Sequence, residues 1–396
     1  MKIAKFSLVI ALVLAVALSS APIARGQDTN PTQCITNFDP NVDYFPQKTE
    51  IAFATGFSVQ YNKHYKVVRV TRPWAGAERG FTYVLVQCGA PTPKDEQLKD
   101  ATVVEVPIRK LISMSTTYLP HLVELNVLDA LVGVDTLQYV STPEIVALGK
   151  AGKLTEIGSG AQVNVEQVAL IAPDLIMTYG SGFPDYDAHP KLIEAGYKVA
   201  LNGEFAENTP LGRAEWIKFT ALFFNAEARA NAYFEGVVKE YQRLVALTER
   251  VSTRPSVLIN TPFQDVWYIP GGKSFAARFL LDAGASYAWA DDESTGSLPL
   301  SIEDVFAKAG NAEFWVNVGF FGSLKDLEAA DARFAQFAAF KNGKVFNNDK
   351  RTNENFGNDY FESGVIRPHV ILADLIKIFH PELLPDHELV YYRQLK

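Results

Sequence analysis

The sequence predicts an α/β protein: two lobes with mostly parallel central sheets joined by a long helix, preceded by an amino-terminal β-rich segment. Three observations predict it. Strand-like and helix-like segments alternate from about residue 103, as parallel βα units require. The alternation restarts after "VSTRP", Val251 to Pro255. Between the two runs, Pro210 to Thr248 reads as helix with no proline after the first residue. The expected divisions are a signal peptide at 1–26, a β-rich extension at 27–100, a first lobe at 101–208, a linking helix at 209–252 and a second lobe at 253–396.

The first 26 residues carry Lys2 and Lys5, an apolar run from Phe6 to Leu18, and the small residues of "APIARG". That run is shorter than the ~20 residues a bilayer span needs. It reads as an export signal rather than an anchor, cleaved after Gly26. No later stretch is long and apolar enough to span a membrane, so the mature chain is expected to be soluble; the export signal places it outside the cytoplasm, and a monomer is expected. Losing Lys2, Lys5 and Arg25 takes the formal charge from -8 to -11. An acidic surface argues against nucleic acid and anionic lipid as partners.

Next come "FSVQY", "YKVVRVT" and "FTYVLVQ", separated by "NKH" and the turn-rich "RPWAGAERG". β-branched and aromatic clustering of this kind predicts a small antiparallel element. Cys34 and Cys88, the chain's two cysteines, both fall in this region. Export into oxidising surroundings favours a disulfide between them over a buried pair of free thiols. "PTQC" lacks the small and aliphatic residues expected before a lipid-bearing cysteine. The polar "APTPKDEQLKD" is a connection.

In the first lobe "KLISMS" reads as strand, "TTYLPHLVELNVLDAL" as helix, "LVGVD" as strand, and "NVEQVALIAPDLIMTYG" as a short capped helix running into a buried strand. In the second, "SVLIN", "KSFAARFLLDAGA", "SIEDVFAKAG", "AEFWVNVG" and "GKVFNN" alternate, and "VIRPHVILADLIKIF" closes the chain with a helix. Asn225 marks a candidate break in the linking helix. The two lobes share a motif: a polar cap (Asn164, Ser301), an acid two residues on (Glu166, Glu303) and a break seven residues later (Pro173, Gly310). A carboxylate in the first helical turn gains ~0.3 to 1 kcal/mol from the helix dipole, so capping alone accounts for each acid. Duplication accounts for the shared spacing. A functional use of the acids stands beside these readings.

The order of "KLISMSTTYLPHLVELNVLDALVGVD", "GSGAQVNVEQVALIAPDLIMTYG" and the linking helix resembles the cobalamin and iron-siderophore substrate-binding proteins of ABC importers, from about residue 103 to the end. The resemblance implies a receptor that captures a metal chelate or corrinoid (a ferric siderophore, a haem-like or a cobalamin-like ligand) between its lobes and delivers it to an ABC permease. It implies no catalysis and no resident cofactor. It also implies that Glu166 and Glu303 dock on permease arginines. The segment before residue 100 lies outside the family's minimal pattern.

Ligands of such folds collect at strand ends and domain interfaces. Tyr118, Tyr139, Tyr179, Phe183, Phe263, Trp267, Phe320 and Phe321 each flank a predicted strand end, where aromatic faces suit a flat or bulky ligand. Ordinary lobe packing accounts for any one of them equally well. "YIPGGKSFAARFLL" departs from a phosphate-binding loop, having Trp267 where the first glycine belongs, and reads as a glycine-bearing turn. The resemblance places this loop near the cleft, giving Lys273 and Ser274 a ligand role. Arg351 suits an acidic ligand group, although ion pairs with Glu354, Asp359 or Glu362 account for it slightly better. The six histidines form no His-x-His or His-x-x-x-His pair, so no directly bound metal is expected. The competing reading is a secreted hydrolase acting on a small polar substrate in the same cleft. No G-x-S-x-G elbow supports it.

Overall fold

The computed structural model describes residues 29–396; the export-signal expectation for residues 1–26 lies outside them. Four strands come first: β1 (Phe57–Asn62), β2 (Tyr65–Val70), β3 (Phe81–Gln87) and β4 (Thr102–Val106). They form one sheet in that order. The first three are antiparallel neighbours, as expected, but β4 runs parallel to β3. Sequence reading had assigned residues 101–106 to the first lobe. They belong to this sheet because Val104 and Val106 complete its buried face.

The first lobe is an all-parallel sheet of β5 (Leu111–Ser113), β6 (Leu131–Val134), β7 (Thr155–Glu156), β8 (Leu175–Thr178) and β9 (Val199–Leu201), ordered β7-β6-β5-β8-β9. Its helices are α1 (Leu119–Glu124), α2 (Pro143–Lys150), α3 (Val165–Ile171) and α4 (His189–Glu194). Asn164 caps α3 by accepting from the Gln167 N–H.

The predicted linking helix is divided into α5 (Pro210–Ala214), α6 (Trp216–Leu222) and α7 (Glu227–Thr248). Asn225, in the left-handed region at φ 56°, makes the second break. Its side chain is occupied elsewhere, donating to Pro31 O and Gln87 Oε1 and accepting from Lys66 Nζ. The first break was not foreseen. It falls at Glu215, whose buried carboxylate accepts the backbone N–H groups of Ala52, Phe53 and Ala54. Helix α6 packs Trp216, Phe219 and Leu222 into the first lobe's core, whereas α7 sends Val237, Tyr241 and Leu244 into the second. The interlobe connection is therefore jointed rather than a single rod.

The second lobe contains β10 (Ser256–Ile259), β11 (Trp267–Pro270), α8 (Phe275–Asp282), β12 (Ser286–Tyr287), β13 (Ser297–Leu300), α9 (Ile302–Ala309), β14 (Phe314–Val316), α10 (Leu324–Ala330), α11 (Ala338–Lys341) and β15 (Val345–Asn347). It ends with α12 (Ser363–Ile366), α13 (Pro368–Phe379) and β16 (Arg393–Gln394). Its main sheet is ordered β12-β10-β14-β15-β16 and is parallel except for β16. Strands β11 and β13 form a separate antiparallel pair. Ser301 caps α9. The closing helix is cut at Pro368, which has no N–H to continue the helix before it.

The amino-terminal sheet shares a core with the first lobe: Phe57, Tyr83 and Val104 pack with Leu111, Leu119 and Trp216. Cys34 and Cys88 are joined as a disulfide. Behind this core His121 is wholly buried against Thr220, with Nδ1 at 2.8 Å from the hydroxyl. Burial pushes its pKa down to about 3. An unfolded histidine binds a proton near pH 6.5, so below that pH the unfolded chain gains a proton that the folded chain refuses. Stability is expected to fall by about 2 kcal/mol from this group by pH 5. Urea unfolding of the wild type and His121→Gln across that range checks it; equal acid slopes in both would contradict it.

Candidate functional site

A cleft of about 1280 Å³ opens between the lobes, lined by both of them and by the amino-terminal sheet. Drug-sized pockets usually span ~300 to 1,000 Å³, so this one suits a large ligand. From the second lobe, Asn260 and Asn317 stand just past the carboxyl ends of β10 and β14, at φ 63° and 58°. Asparagine tolerates this left-handed backbone better than most residues, and it turns the chain sharply away from the sheet. Asn260 donates to Tyr268 O, and Asn317 accepts from the Tyr392 hydroxyl at 2.7 Å. Tyr268, Phe320 and Phe356 line the cleft with exposed rings. The first lobe supplies Thr116, Tyr139 and the segment Phe205 to Asn208 after β9.

Polar contacts also tie the two lobes directly to each other. Buried Glu362 accepts the N–H groups of Ser141 and Thr142, each at 2.7 Å, at the start of α2. Burial raises the pKa of this carboxyl, and hydrogen bonds from Thr142 and Ser141 oppose the rise. Asn353 donates to Gln138 O and Val140 O, and Arg367 pairs with Glu124 at 2.8 Å.

The cleft's two carboxylates are already committed. Glu207 accepts from Thr55 N, Thr55 Oγ1, Gly56 N and Trp216 Nε1. Asp349 pairs with Arg393 at 2.6 Å. Among the described residues, no three His, Cys, Asp or Glu side chains gather where they could hold a metal ion.

Of the residues expected at the ligand, Tyr139, Ser274 and Phe320 line the cleft. Ser274 has a structural task as well, capping α8 and donating to Gly271 O. Trp267 is corrected: it is 0% exposed, its Nε1 donates to Ile259 O, and its ring stacks on Trp315 with centroids 5.7 Å apart. Strand alternation turns its neighbour Tyr268 outward instead. Tyr118 is corrected likewise, being buried with its hydroxyl donating to Asn202 O. Phe321 packs against the second lobe's core. Tyr179, Phe183 and Phe263 lie outside the cleft lining, the last two as exposed rings. Lys273 also lies outside it, 3.7 Å from Glu293. Arg351 pairs with Asp359 at 2.6 Å and lines a second groove with Lys150, so the ion pair weighed from sequence is the one formed.

Sequence reading missed Tyr268, Phe356, Asn260, Asn317 and two residues of the loop between β2 and β3, Arg72 and Trp74. One signal was present for the last: a tryptophan inside a polar, glycine-bearing turn, where no core awaits it locally.

Two parallel-sheet lobes facing each other across strand ends, with a large cleft between them, define a two-lobed solute-binding protein. The chain belongs to the periplasmic binding protein family, whose sequence profile matches residues 111–352. Proteins of this family bind solutes and are not enzymes, which sets the hydrolase reading aside. An uncharacterised lipoprotein of Methanocaldococcus jannaschii is 28% identical over 330 residues, 80% of this chain and 81% of its own. In the present chain Cys34 is tied to Cys88. Among solved structures, a possible iron-binding periplasmic solute-binding protein of Staphylococcus epidermidis matches with a TM-score of 0.55 at 17% identity, covering 69% of this chain and 98% of its own. A periplasmic haem-binding protein of Pseudomonas aeruginosa gives 0.54 at 19%, covering 73% and 98%. Likeness at these identities shows the fold.

Proposed function

We propose that this protein works outside the cytoplasm as a monomeric receptor that takes up a metal chelate or corrinoid between its lobes and presents it to an ABC permease. The observation that carries the reading is the interlobe cleft itself. It is large, aromatic and amide-lined, and without a cluster of metal-binding side chains among the described residues. A hard ferric ion taken up bare would call for clustered oxygen or imidazole ligands. The iron-binding and haem-binding names of the structural neighbours favour the same ligand class.

Glu166 and Glu303 are the proposed docking residues. Both are exposed, and each helix also exposes a large apolar side chain one turn on: Leu170 after Glu166 and Phe306 after Glu303. Helix capping needs no such apolar companion.

Purified protein is expected to ignore free iron and zinc and to gain thermal stability with at least one of a ferric siderophore, haem or cobalamin. Ligand at a hundred times Kd adds ~2.7 kcal/mol to the folded state. Tyr268→Ala should weaken the response, whereas Trp267→Ala should act mainly on the apo-protein. Stabilisation by uncomplexed ions, with no chelate effective, would mean direct coordination and the wrong ligand class.

A further inference from the structure

The amino-terminal sheet lies outside the matched family region, yet its β2–β3 loop reaches the cleft with Arg72, Trp74, Ala75, Gly76 and Ala77. We infer that this loop is a third wall of the binding site and that, through Arg72 and Trp74, it selects a chelate of low charge, neutral or monoanionic, with an anionic edge turned toward Arg72. The inference rests on the chelate reading above.

The loop is seated on the first lobe by fitted contacts. Trp74 lies where a Cβ on Gly180 would come within 2.4 Å of its ring and one on Gly182 within 3.0 Å of its Nε1. A Cβ on Gly203 would stand 2.7 Å from Arg72 O. The loops after β8 and β9 thus carry glycine where the β2–β3 loop lies against them. His189 and Phe81 flank Trp74, with His189 at 5.4 Å between ring centroids. At the loop's root, Thr71 N donates to Gly56 O at 2.8 Å, and the Arg72 guanidinium donates to Thr55 Oγ1. Thr55 and Gly56 are themselves gripped by Glu207 of the first lobe.

Charge then decides the ligand class. Among the described residues lining the cleft, Arg72 is the one cationic side chain, beside the two carboxylates Glu207 and Asp349. Among the described residues no carboxylate pairs with Arg72, so its remaining guanidinium donors are open to a ligand. Lys273 and Arg351, which sequence reading offered as partners for an anionic rim, lie outside the cleft lining. A trianionic chelate would meet one open cation beside the uncompensated carboxylate of Glu207, the charge of Asp349 being offset by Arg393, in an acidic protein. A tris-hydroxamate, whose ligand charges cancel those of ferric iron, meets aromatic faces, asparagine amides and one guanidinium.

Calorimetric titration of the full chain tests this with two probes: ferrichrome, a neutral ferric tris-hydroxamate, and ferric enterobactin, a trianionic tris-catecholate. Wild type should bind the neutral complex at least about tenfold more tightly. Arg72→Gln should weaken that binding about tenfold with an unchanged apo melting temperature, since its side chain is exposed. Trp74→Ala should weaken it similarly, and Trp74→Phe should keep most of it while preserving the packing. Chelate binding within twofold of wild type in Arg72→Gln and Trp74→Ala overturns the third wall and leaves the chelate receptor standing. Tighter binding of the trianion overturns the charge selection. No binding of either probe, nor of haem or cobalamin, by wild type overturns both readings.

Discussion

Reversing both surface acids, Glu166→Arg with Glu303→Arg, is expected to abolish uptake of the labelled ligand by cells while the purified receptor binds it as tightly as wild type. Close charge pairs across protein interfaces couple by ~1.5 to 7 kcal/mol, and a reversal turns attraction into repulsion at both contacts. Neither acid lines the cleft, so affinity has no reason to move. Glu303 is 70% exposed and held by Arg333 at 2.6 Å, so the proposed docking would exchange that partner for a permease cation. Exposed pairs contribute little, ~0 to 1 kcal/mol, and the exchange costs little. Normal transport by the double variant would reduce both acids to helix caps.

Lys66→Met should cost ~3 to 5 kcal/mol of folding stability, because removing one partner of a buried ion pair leaves the other charge uncompensated. Both side chains of the Lys66–Glu227 pair are 0% exposed, with the charges 2.7 Å apart. Lys66 also donates to Leu222 O and Asn225 Oδ1 and sits 4.6 Å from the Phe45 ring centroid. It lies on β2, while Leu222, Asn225 and Glu227 span the joint between α6 and α7, so the pair ties the amino-terminal sheet to the interlobe connection. Urea denaturation measures the loss. Arg243→Ala, which breaks an exposed pair on α7, is the comparison and should cost under ~1 kcal/mol. If adding Glu227→Gln to Lys66→Met recovers nothing, the loss is one of packing and not of stranded charge.

The parts of this fold written in local sequence were the readable ones. Asn164 and Ser301 cap their helices as their side chains allow, and Asn225 breaks the connecting helix where a left-handed residue is tolerated. The break at Glu215 was invisible because its cause, the N–H groups of Ala52 to Ala54, lies about 160 residues away in the chain. Arg351 had three acids within reach in sequence, and only the folded loop selects Asp359.

By itself, then, the sequence determined the two-lobed α/β class, the shared cap-and-acid motif and the pair of cysteines available to each other. All of these follow from periodicity, caps and composition acting over a few residues. Only the tertiary structure decided which side chains face the cleft. Trp267 and Tyr268 are adjacent and equally aromatic, yet strand alternation buries the first and exposes the second toward the ligand space. Arg72 and Trp74 join that space because the amino-terminal sheet packs on the first lobe, against glycines about a hundred residues distant. A cleft wall is a meeting of loops from separate parts of the chain. Its composition is set by how cores and buried charges bring those loops together, which no short-range pattern records.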